Sequence, residues 1–447
     1  MTPYLLQQVL PSHSGTCLAK SNELRPVTEF SPSFRRYLPV SSDKTPIILA
    51  FSGGLDTSFC VPWLKESFDR DVITVTVDTG GIDADAARLL EERSVALGAI
   101  EHVLLDCKKA FFDSVIRYLI AGNIRRGQVY PLCVGAERGL QAAELAKFAS
   151  ARNSSTVAHG CTAAGNDQVR FEVALRTLSP GLEILAPVRD NNWVREEQLQ
   201  YLEEHDLPLP AQGSAYSINR GLWGITIGGQ ETLTSADSLP EHAWVLSANA
   251  FVNPLEKSEH VLEFAAGIPV SLDGEDLDPV GLIEKLDLLA GAYGIGRGIH
   301  LGDTVLGTKG RVAFEAPAAV TLITAHRELE KLVLSAQQAR TKESVAATYG
   351  DLIHEGKQLD LACRDIEALL TSSQSRVSGT VRFSLRPGNL FITGVDSPYS
   401  LLSASKGVYG EAAGEWTASD ALGYSKILSL SGSFQTRAGA NATGMDS

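Results

Sequence analysis

The chain is short of several things that would point to familiar chemistries. Of its 447 residues only six are cysteine, and no two fall in a CxxC pair. That spacing fits neither a disulfide framework nor a structural zinc site, and it suits a reducing cytoplasm. No apolar stretch approaches the roughly 18–20 residues that a membrane span needs, so no membrane partner is expected. The nine histidines include no HExxH pair, which leaves a zinc hydrolase without support. Basic residues are in deficit: 39 Lys and Arg against 53 Asp and Glu leave a net charge of −14. A nucleic-acid binder usually carries a basic face, and no such partner is expected here. What remains is globular in composition, with 44% apolar and 21% charged residues and enough length for two or three cores.

Residues 1–45 show no sustained periodicity and read as a flexible arm. Their five basic residues against three acidic ones leave an organelle transit segment open. Order begins at Thr45-Pro46-Ile47-Ile48-Leu49-Ala50-Phe51, an apolar run of strand length. Ser52-Gly53-Gly54-Leu55-Asp56-Thr57-Ser58 follows, and then a helical pattern at Phe59, Val61, Trp63 and Leu64. Glycine leaves no Cβ between backbone N–H groups and a ligand, and a helix N-terminus presents orphan donors with the positive end of its dipole. Strand, loop and helix together form a cradle for an anionic group, most simply the pyrophosphate of a nucleotide. The loop is not a Walker motif, because no Gly-Lys-Ser/Thr follows the spacer. A plain turn capped by Asp56 or Thr57 is the structural alternative. Pro62 should kink the helix or shift its start.

Strand and helix patterns then alternate: strands at Val72–Val77, Glu101–Leu105, Thr156–Ala158 and Glu183–Ala186, with helices between them. Such alternation means βαβ units and an α/β fold with a parallel, Rossmann-like sheet. Ligands of such sheets bind at the C-terminal strand ends. The Ser52–Ser58 loop, Asp78–Gly81 and the loop after Ala158 should therefore share one cleft. That last loop, His159 to Glu172, includes Thr162, Asn166, Asp167 and Arg170, a set that helix capping alone does not explain. For His159 a structural hydrogen bond and a functional part both stand open. Carboxylates such as Asp56 and Asp167 suit Mg²⁺, directly or through water, or an ammonium group, and Asp56 is the candidate Mg²⁺ ligand. Beyond Pro210 the alternation lapses. Hairpins are expected around Gly267 and Arg386-Pro387-Gly388, with helices at Val280–Leu289, Val320 to about Tyr349, and Leu352–Leu370. The tail, 431–447, reads as disordered.

With both loops in place, the chain resembles the argininosuccinate synthase family of the N-type ATP pyrophosphatases, from about Thr45 to about Leu430. The strongest matches are Ala50–Ser58, His159–Glu172, and Tyr216-Ser217-Ile218 with Leu222-Trp223-Gly224. The resemblance implies a nucleotide-binding domain of the adenine nucleotide alpha hydrolase type over 46–210. It also implies an α+β synthetase and oligomerisation domain over 211–430, and a homo-oligomer, tetramer or dimer. The implied reaction uses ATP to adenylate a ureido oxygen with release of pyrophosphate, after which the aspartate amine displaces AMP. Ser52, Gly53, Gly54, Asp56, Thr57 and Ser58 keep the family's ATP loop, with Ala50, Val77, His159 and Gly160 beside the nucleotide. Thr162, Asn166 and Asp167 fall at aspartate positions, and Tyr130, Arg170, Ser217 and Thr226 at acceptor positions. Asp56, Ser58 and Asp167 are the expected catalytic residues.

The acceptor pocket departs from the family pattern. A serine corresponds to Gly135, a glutamate to Gly302 and a tyrosine to Phe314. Hydrogen bonds to charged groups contribute roughly 1.5–3 kcal/mol and neutral ones roughly 0.5–1.5, so citrulline would lose about 10²–10⁴ in affinity if nothing compensates. Asp303 and Glu137 are candidates to compensate. The leading expectation is a ligase that keeps the ATP and aspartate sites and takes a ureido, carbamoyl or carboxyl acceptor other than plain citrulline. A genuine argininosuccinate synthase and a catalytically silent scaffold are the alternatives.

Overall fold

The computed structural model describes residues 44–209 and 216–443. The expected flexible arm therefore falls outside the described residues except for Lys44 and Thr45. The first half is an α/β layer structure. Strands β1 (Ile47–Ala50), β2 (Val72–Asp78), β3 (Glu101–Asp106), β4 (Thr156–Ala158) and β5 (Glu183–Leu185) form one sheet in the order β3-β2-β1-β4-β5. All its pairings are parallel, with Ile48 of β1 flanked by Ile73 and Val157. Alternation along β1 divides the core. Ile47 and Leu49 pack with Phe59 and Leu64, while Ile48 packs with Leu145, Phe171 and Leu175 on the other face. Burying both faces is what makes β1 a continuous apolar run. The chain winds outward from β1 to β3 and then returns to β4, so a crevice opens where the strand order reverses.

Helix Leu55–Phe68 runs through Pro62 without starting or stopping there. The expected shift of its start does not occur; the proline forgoes only the bond its N–H would have made to the preceding turn. The helical stretch from Lys108 to Ala121 contains a π turn at Phe112–Ile116.

The second half holds two antiparallel sheets. Strands β6 (Ser217–Gly221), β7 (Gly224–Gly228), β11 (Arg297–Asp303) and β12 (Lys309–Glu315) are ordered β11-β12-β7-β6. Strands β8 (Ser258–Ala265), β9 (Ile268–Leu272), β10 (Glu275–Asp276), β13 (Gly379–Arg386) and β14 (Asn389–Asp396) are ordered β10-β9-β8-β13-β14. The long helix expected from Val320 is two helices, Pro317–Val333 and Ala336–His354. Ser335 begins the second with a reciprocal cap, accepting from the Gln338 N–H while the Gln338 side chain accepts its own. The next helix is Leu361–Gln374, later than expected, because Gly356 at φ +78° turns the chain first. The tail is corrected where it is described: residues 444–447 lie outside the described residues, and 431–443 belong to the helix Ala418–Thr443 rather than to a disordered segment. Its glycines and serines dilute the apolar period, yet alanine, leucine and isoleucine carry enough propensity for a helix.

Candidate functional site

The reversal point of the parallel sheet opens into a cleft of about 980 Å³. Its floor is the loop after β1. Gly53 takes φ +72°, and a Cβ there would lie 2.5 Å from Leu90 Cδ2. Gly54 is the N-cap of helix Leu55–Phe68, and no side chain caps it. Capping by Asp56 or Thr57, the structural alternative, is not what the loop does. The hydroxyls of Ser52 and Thr57 lie 3.2 Å apart, and Thr57 donates to the Gly54 carbonyl at 3.3 Å. Arg93 ties the loop down through the Gly53 carbonyl at 2.6 Å. The helix therefore ends on free N–H donors that face the cleft, an arrangement suited to phosphate.

The loop after β4 forms the second wall. At Gly160 a Cβ would lie 3.0 Å from Thr57 Cγ2, so the two loops touch only because that residue is glycine. His159 is buried; its Nδ1 accepts from the Cys161 N–H at 3.3 Å, while its Nε2 has no partner. Burial, then the nearby Arg189, pushes the imidazole down to about 4, so it is neutral with the proton on Nε2. Asp167 begins helix Asp167–Leu178 and accepts from Arg138 at 2.9 Å and Arg170 at 2.8 Å. Burial pushes that carboxyl up, and the two guanidinium groups overcome it and hold it down to about 2. Asn166 accepts from the Val305 N–H at 2.9 Å, which ties this loop to the second half of the chain.

The third wall comes from the second half of the chain. Hairpin β6–β7 lies across the end of β2, where the Leu222 N–H donates to the Thr79 carbonyl at 2.9 Å. Gly80, at φ +117°, sits so close to the Leu222 backbone that no side chain fits between them. Ser217, Asn219 and Arg220 of β6 line the cleft, with the Arg220 side chain against Gly81.

The expected residues Ala50, Ser52, Gly53, Gly54, Asp56 and Thr57 line this cleft together with Val77, His159 and Gly160. Thr162, Asn166, Asp167, Arg170 and Ser217 join them. Three others do not line it. Ser58 is fully buried, with its hydroxyl 3.5 Å from the Gly53 carbonyl. Tyr130 is buried and donates its hydroxyl to the Cys133 carbonyl. Thr226 pairs with Asn219 and Phe314 across the sheet. The positions that depart from the family pattern have immediate neighbours. A Cβ at Gly135 would lie 3.3 Å from the Arg170 guanidinium carbon, and one at Gly302 2.5 Å from His300 Nε2. His300 stacks on Tyr130 at 5.5 Å, and Phe314 tilts against the same ring at 5.2 Å.

Thr79, from the Asp78–Gly81 loop expected in the cleft, and Glu137, expected only as a compensator, line it together with Arg138 and Gln141, which no motif in the sequence marks. They form one network: Gln141 donates to Thr79 at 3.1 Å, Thr79 to Glu137 at 2.7 Å, and Arg138 to Glu137 at 2.9 Å as well as to Asp167. A buried acid directly preceding an arginine at a helix start was the available signal. Cys161 also lines the cleft, but burial pushes its thiol up to about 12, which leaves no reactive thiolate. Among the described residues no three His, Cys, Asp or Glu side chains are grouped to hold a metal ion, and no helix is long and apolar enough to cross a membrane.

Comparison with known proteins adds the decisive observation. Residues 46–208 match the arginosuccinate synthase N-terminal HUP domain, and residues 216–435 match the arginosuccinate synthase C-terminal domain. The chain belongs to the argininosuccinate synthase family. Members are ATP-dependent carbon–nitrogen ligases that form AMP and pyrophosphate. The argininosuccinate synthase of Methanocaldococcus jannaschii is 39% identical over 363 residues, 80% of this chain and 89% of that protein. That of Xanthomonas campestris is 40% identical over 391 residues, 86% of this chain and 96% of its own length. That of Dictyoglomus turgidum is 38% identical over 392 residues, 87% and 96% respectively. In this chain the stretch matched by the HUP domain holds the parallel sheet and the Ser52–Ser58 loop, and the stretch matched by the C-terminal domain holds the β6–β7 hairpin.

Proposed function

We propose that this chain joins the amine of aspartate to an acceptor carbonyl activated by ATP. The acceptor is a ureido, carbamoyl or carboxyl compound that lacks citrulline's α-ammonium group or presents it elsewhere. One observation carries the reading: the uncapped helix N-terminus after β1 and the Asp167 carboxylate face the same cleft. The N–H groups of the Gly53–Asp56 turn, of which Gly54's reaches Ser52 Oγ at 3.5 Å, receive the phosphates together with the Ser52 and Thr57 hydroxyls. The acceptor oxygen attacks the α-phosphorus and pyrophosphate departs. The aspartate amine then attacks the activated carbon, and the carbon–oxygen bond breaks to release AMP. Thr162, Asn166 and Asp167 orient aspartate, and Arg170 with Ser217 orients the acceptor. The protein's work is alignment and neutralisation of phosphate charge.

Mg²⁺ fits this donor set. Asp56 at the loop offers a single carboxylate, which suits an ion that keeps most of its water and binds mainly to phosphates. When bound, it withdraws charge from the departing pyrophosphate.

Support for a changed acceptor comes from Gly135 beneath Arg170, Gly302 against His300, and the absent hydroxyl at Phe314. The rival reading, a synthase of argininosuccinate itself, is favoured by the 38–40% identity to proteins of that name. Pyrophosphate release with ATP, labelled aspartate and an acceptor panel that includes citrulline, followed by mass spectrometry of the product, separates the two. Micromolar citrulline binding with full turnover decides for the rival. No turnover with any acceptor, together with retained folding, decides for a silent scaffold.

We further propose a homo-oligomer in a reducing cytoplasm. Helix Ala418–Thr443 exposes Leu422, Ile427, Leu428 and Phe434, a surface suited to a second copy of this chain. The five cysteines among the described residues are all free thiols. Light scattering of the full chain and of a chain ending at residue 417 tests the assembly, with loss of mass expected on truncation.

A further inference from the structure

Two carboxylates stand as candidates to replace the one missing at Gly302, and the structure separates them. Asp303 ends β11 on the surface, with more than half of its side chain exposed and Lys309 at 2.5 Å. It lies outside the lining of the cleft. Glu137 lies within that lining and is only 1% exposed.

Room for Glu137 is made by Gly221 of β6, where any Cβ would collide with the carboxylate oxygen Oε2. Each carboxylate oxygen has one protein donor: Oε2 receives the Thr79 hydroxyl at 2.7 Å and Oε1 receives Arg138 at 2.9 Å. A carboxylate accepts about four hydrogen bonds, so each oxygen keeps a free lone pair. Arg138 does not neutralise Glu137 fully, because it also serves Asp167, which in turn also serves Arg170. Asp78 and Asp167 face Glu137 with like charge, and burial comes first in raising its carboxyl to about 7. The group is a buried acid with spare lone pairs and too little countercharge, beside the site where aspartate and acceptor meet.

We infer that Glu137 sets acceptor specificity, its carboxylate, held between Thr79 and Gly221, receiving a cationic nitrogen of the acceptor from the cleft. The acceptor class is then an amine-bearing ureido or carbamoyl compound whose ammonium group lies toward β2 and β6 rather than toward β11. This deepens the ligase reading of the same cleft and rests on it.

The experiment uses matched probes: ω-ureido acids of graded chain length, each with and without an amino group, citrulline and 5-ureidopentanoate among them. Binding is titrated calorimetrically to the full chain with a non-hydrolysable ATP analogue and aspartate present. For at least one pair the wild type should favour the amine-bearing member by about tenfold or more, the scale of one charged hydrogen bond. Glu137→Gln should bring that ratio to within about threefold by weakening the amine-bearing member alone. Gly221→Ala, which fills the space of the carboxylate from the other side, should do the same and serves as the second variant if the first does not fold. A ratio that survives both substitutions, an equal weakening of both members, or no preference in the wild type overturns the inference. Failure of the ATP analogue itself to bind overturns the ligase reading instead, so the two failures are distinguishable.

Discussion

At the end of the cleft proposed for the nucleotide the donors bond only within their own loop: the helix after β1 has no side-chain cap, and the Ser52 and Thr57 hydroxyls stay inside the turn. At the acceptor end nearly every polar group already has a neighbour. Tyr130 is bonded to a backbone carbonyl and stacked on His300, while Arg170 is held by Asp167 and by the His354 carbonyl at 2.8 Å. Burial, then Arg170 and Arg126, pushes His354 down to about 3, so it stays neutral between two guanidinium groups. The contrast follows from the kind of recognition. Phosphate is read by backbone N–H groups, which constrain the sequence to glycine and small hydroxyl residues. An organic acceptor is read by side chains, and side chains can be exchanged when their neighbours change too. The pairing of Glu137 with Gly221 and of His300 with Gly302 has that character.

The sharpest way to break the contrast is Asp56→Ala, which alters the nucleotide end alone. Pyrophosphate release in single turnover should fall by about 10²–10³, the usual cost of losing one preorganised charge-stabilising group. Normal turnover would show that the donors of this loop are not the phosphate site. Asp167→Asn lies at the junction of the two ends. It should lower kcat/KM for aspartate by roughly 10–10², with nucleotide affinity within about threefold, since it weakens charge-assisted bonds that position aspartate.

Glu137 gives a pH-dependent test of the acceptor end. Its carboxyl is raised from 4.5 to about 7 in the folded chain, mainly by burial, against the opposing pull of Arg138 and Thr79. Between those values the native state binds more protons than the unfolded one, so stability falls as pH rises and levels off above about 7. The loss is up to about 3 kcal/mol at 1.36 kcal/mol per pKa unit. Urea denaturation from pH 4.5 to 8 should show this slope flattened in Glu137→Gln. Asp287, also raised to about 7 by burial, adds a slope of the same sign. His159 and His354, lowered from 6.5 to about 4 and about 3, add the opposite slope below 6.5. Glu137 is therefore read from the difference between wild type and Glu137→Gln.

The mildest test adds bulk at the acceptor end. Gly302→Glu meets His300 and should cost about 1–3 kcal/mol by overpacking, read as a lower thermal midpoint. His300→Ala in the same chain should recover part of that loss. If Gly302→Glu alone raises stability, the packing described for this end is wrong.

Much of the first half was legible because its signals are local. β1 is apolar along its whole length since both faces are buried, and the glycine loop can serve its geometry with few other residues. The second half was harder to read where glycine replaces the alternating residues of strands. Gly221, Gly224 and Gly228 interrupt β6 and β7, and Gly298, Gly302 and Gly310 interrupt β11 and β12, so the sheet over the cleft carried a weak period-two pattern. Gly298 is small because the Phe314 ring presses against it, a constraint that only tertiary structure reveals. The split at Ser335 was written in the Ser335–Gln338 capping pair but was overrun by the apolar period on both sides. Arg138 reads as an ordinary helix-start residue beside its sequence neighbour Glu137, because its second partner, Asp167, arrives only through another helix.

The backbone contact between Gly80 and Leu222 has a consequence for how this enzyme can diverge. Any side chain at position 80 would act as a wedge between the two halves of the molecule, lifting the hairpin off the sheet and spoiling every distance across the crevice at once. That hinge line is therefore closed to gradual change. New substrates must be accommodated by trading volume between facing pairs deeper in the crevice, one residue growing as its opposite number shrinks.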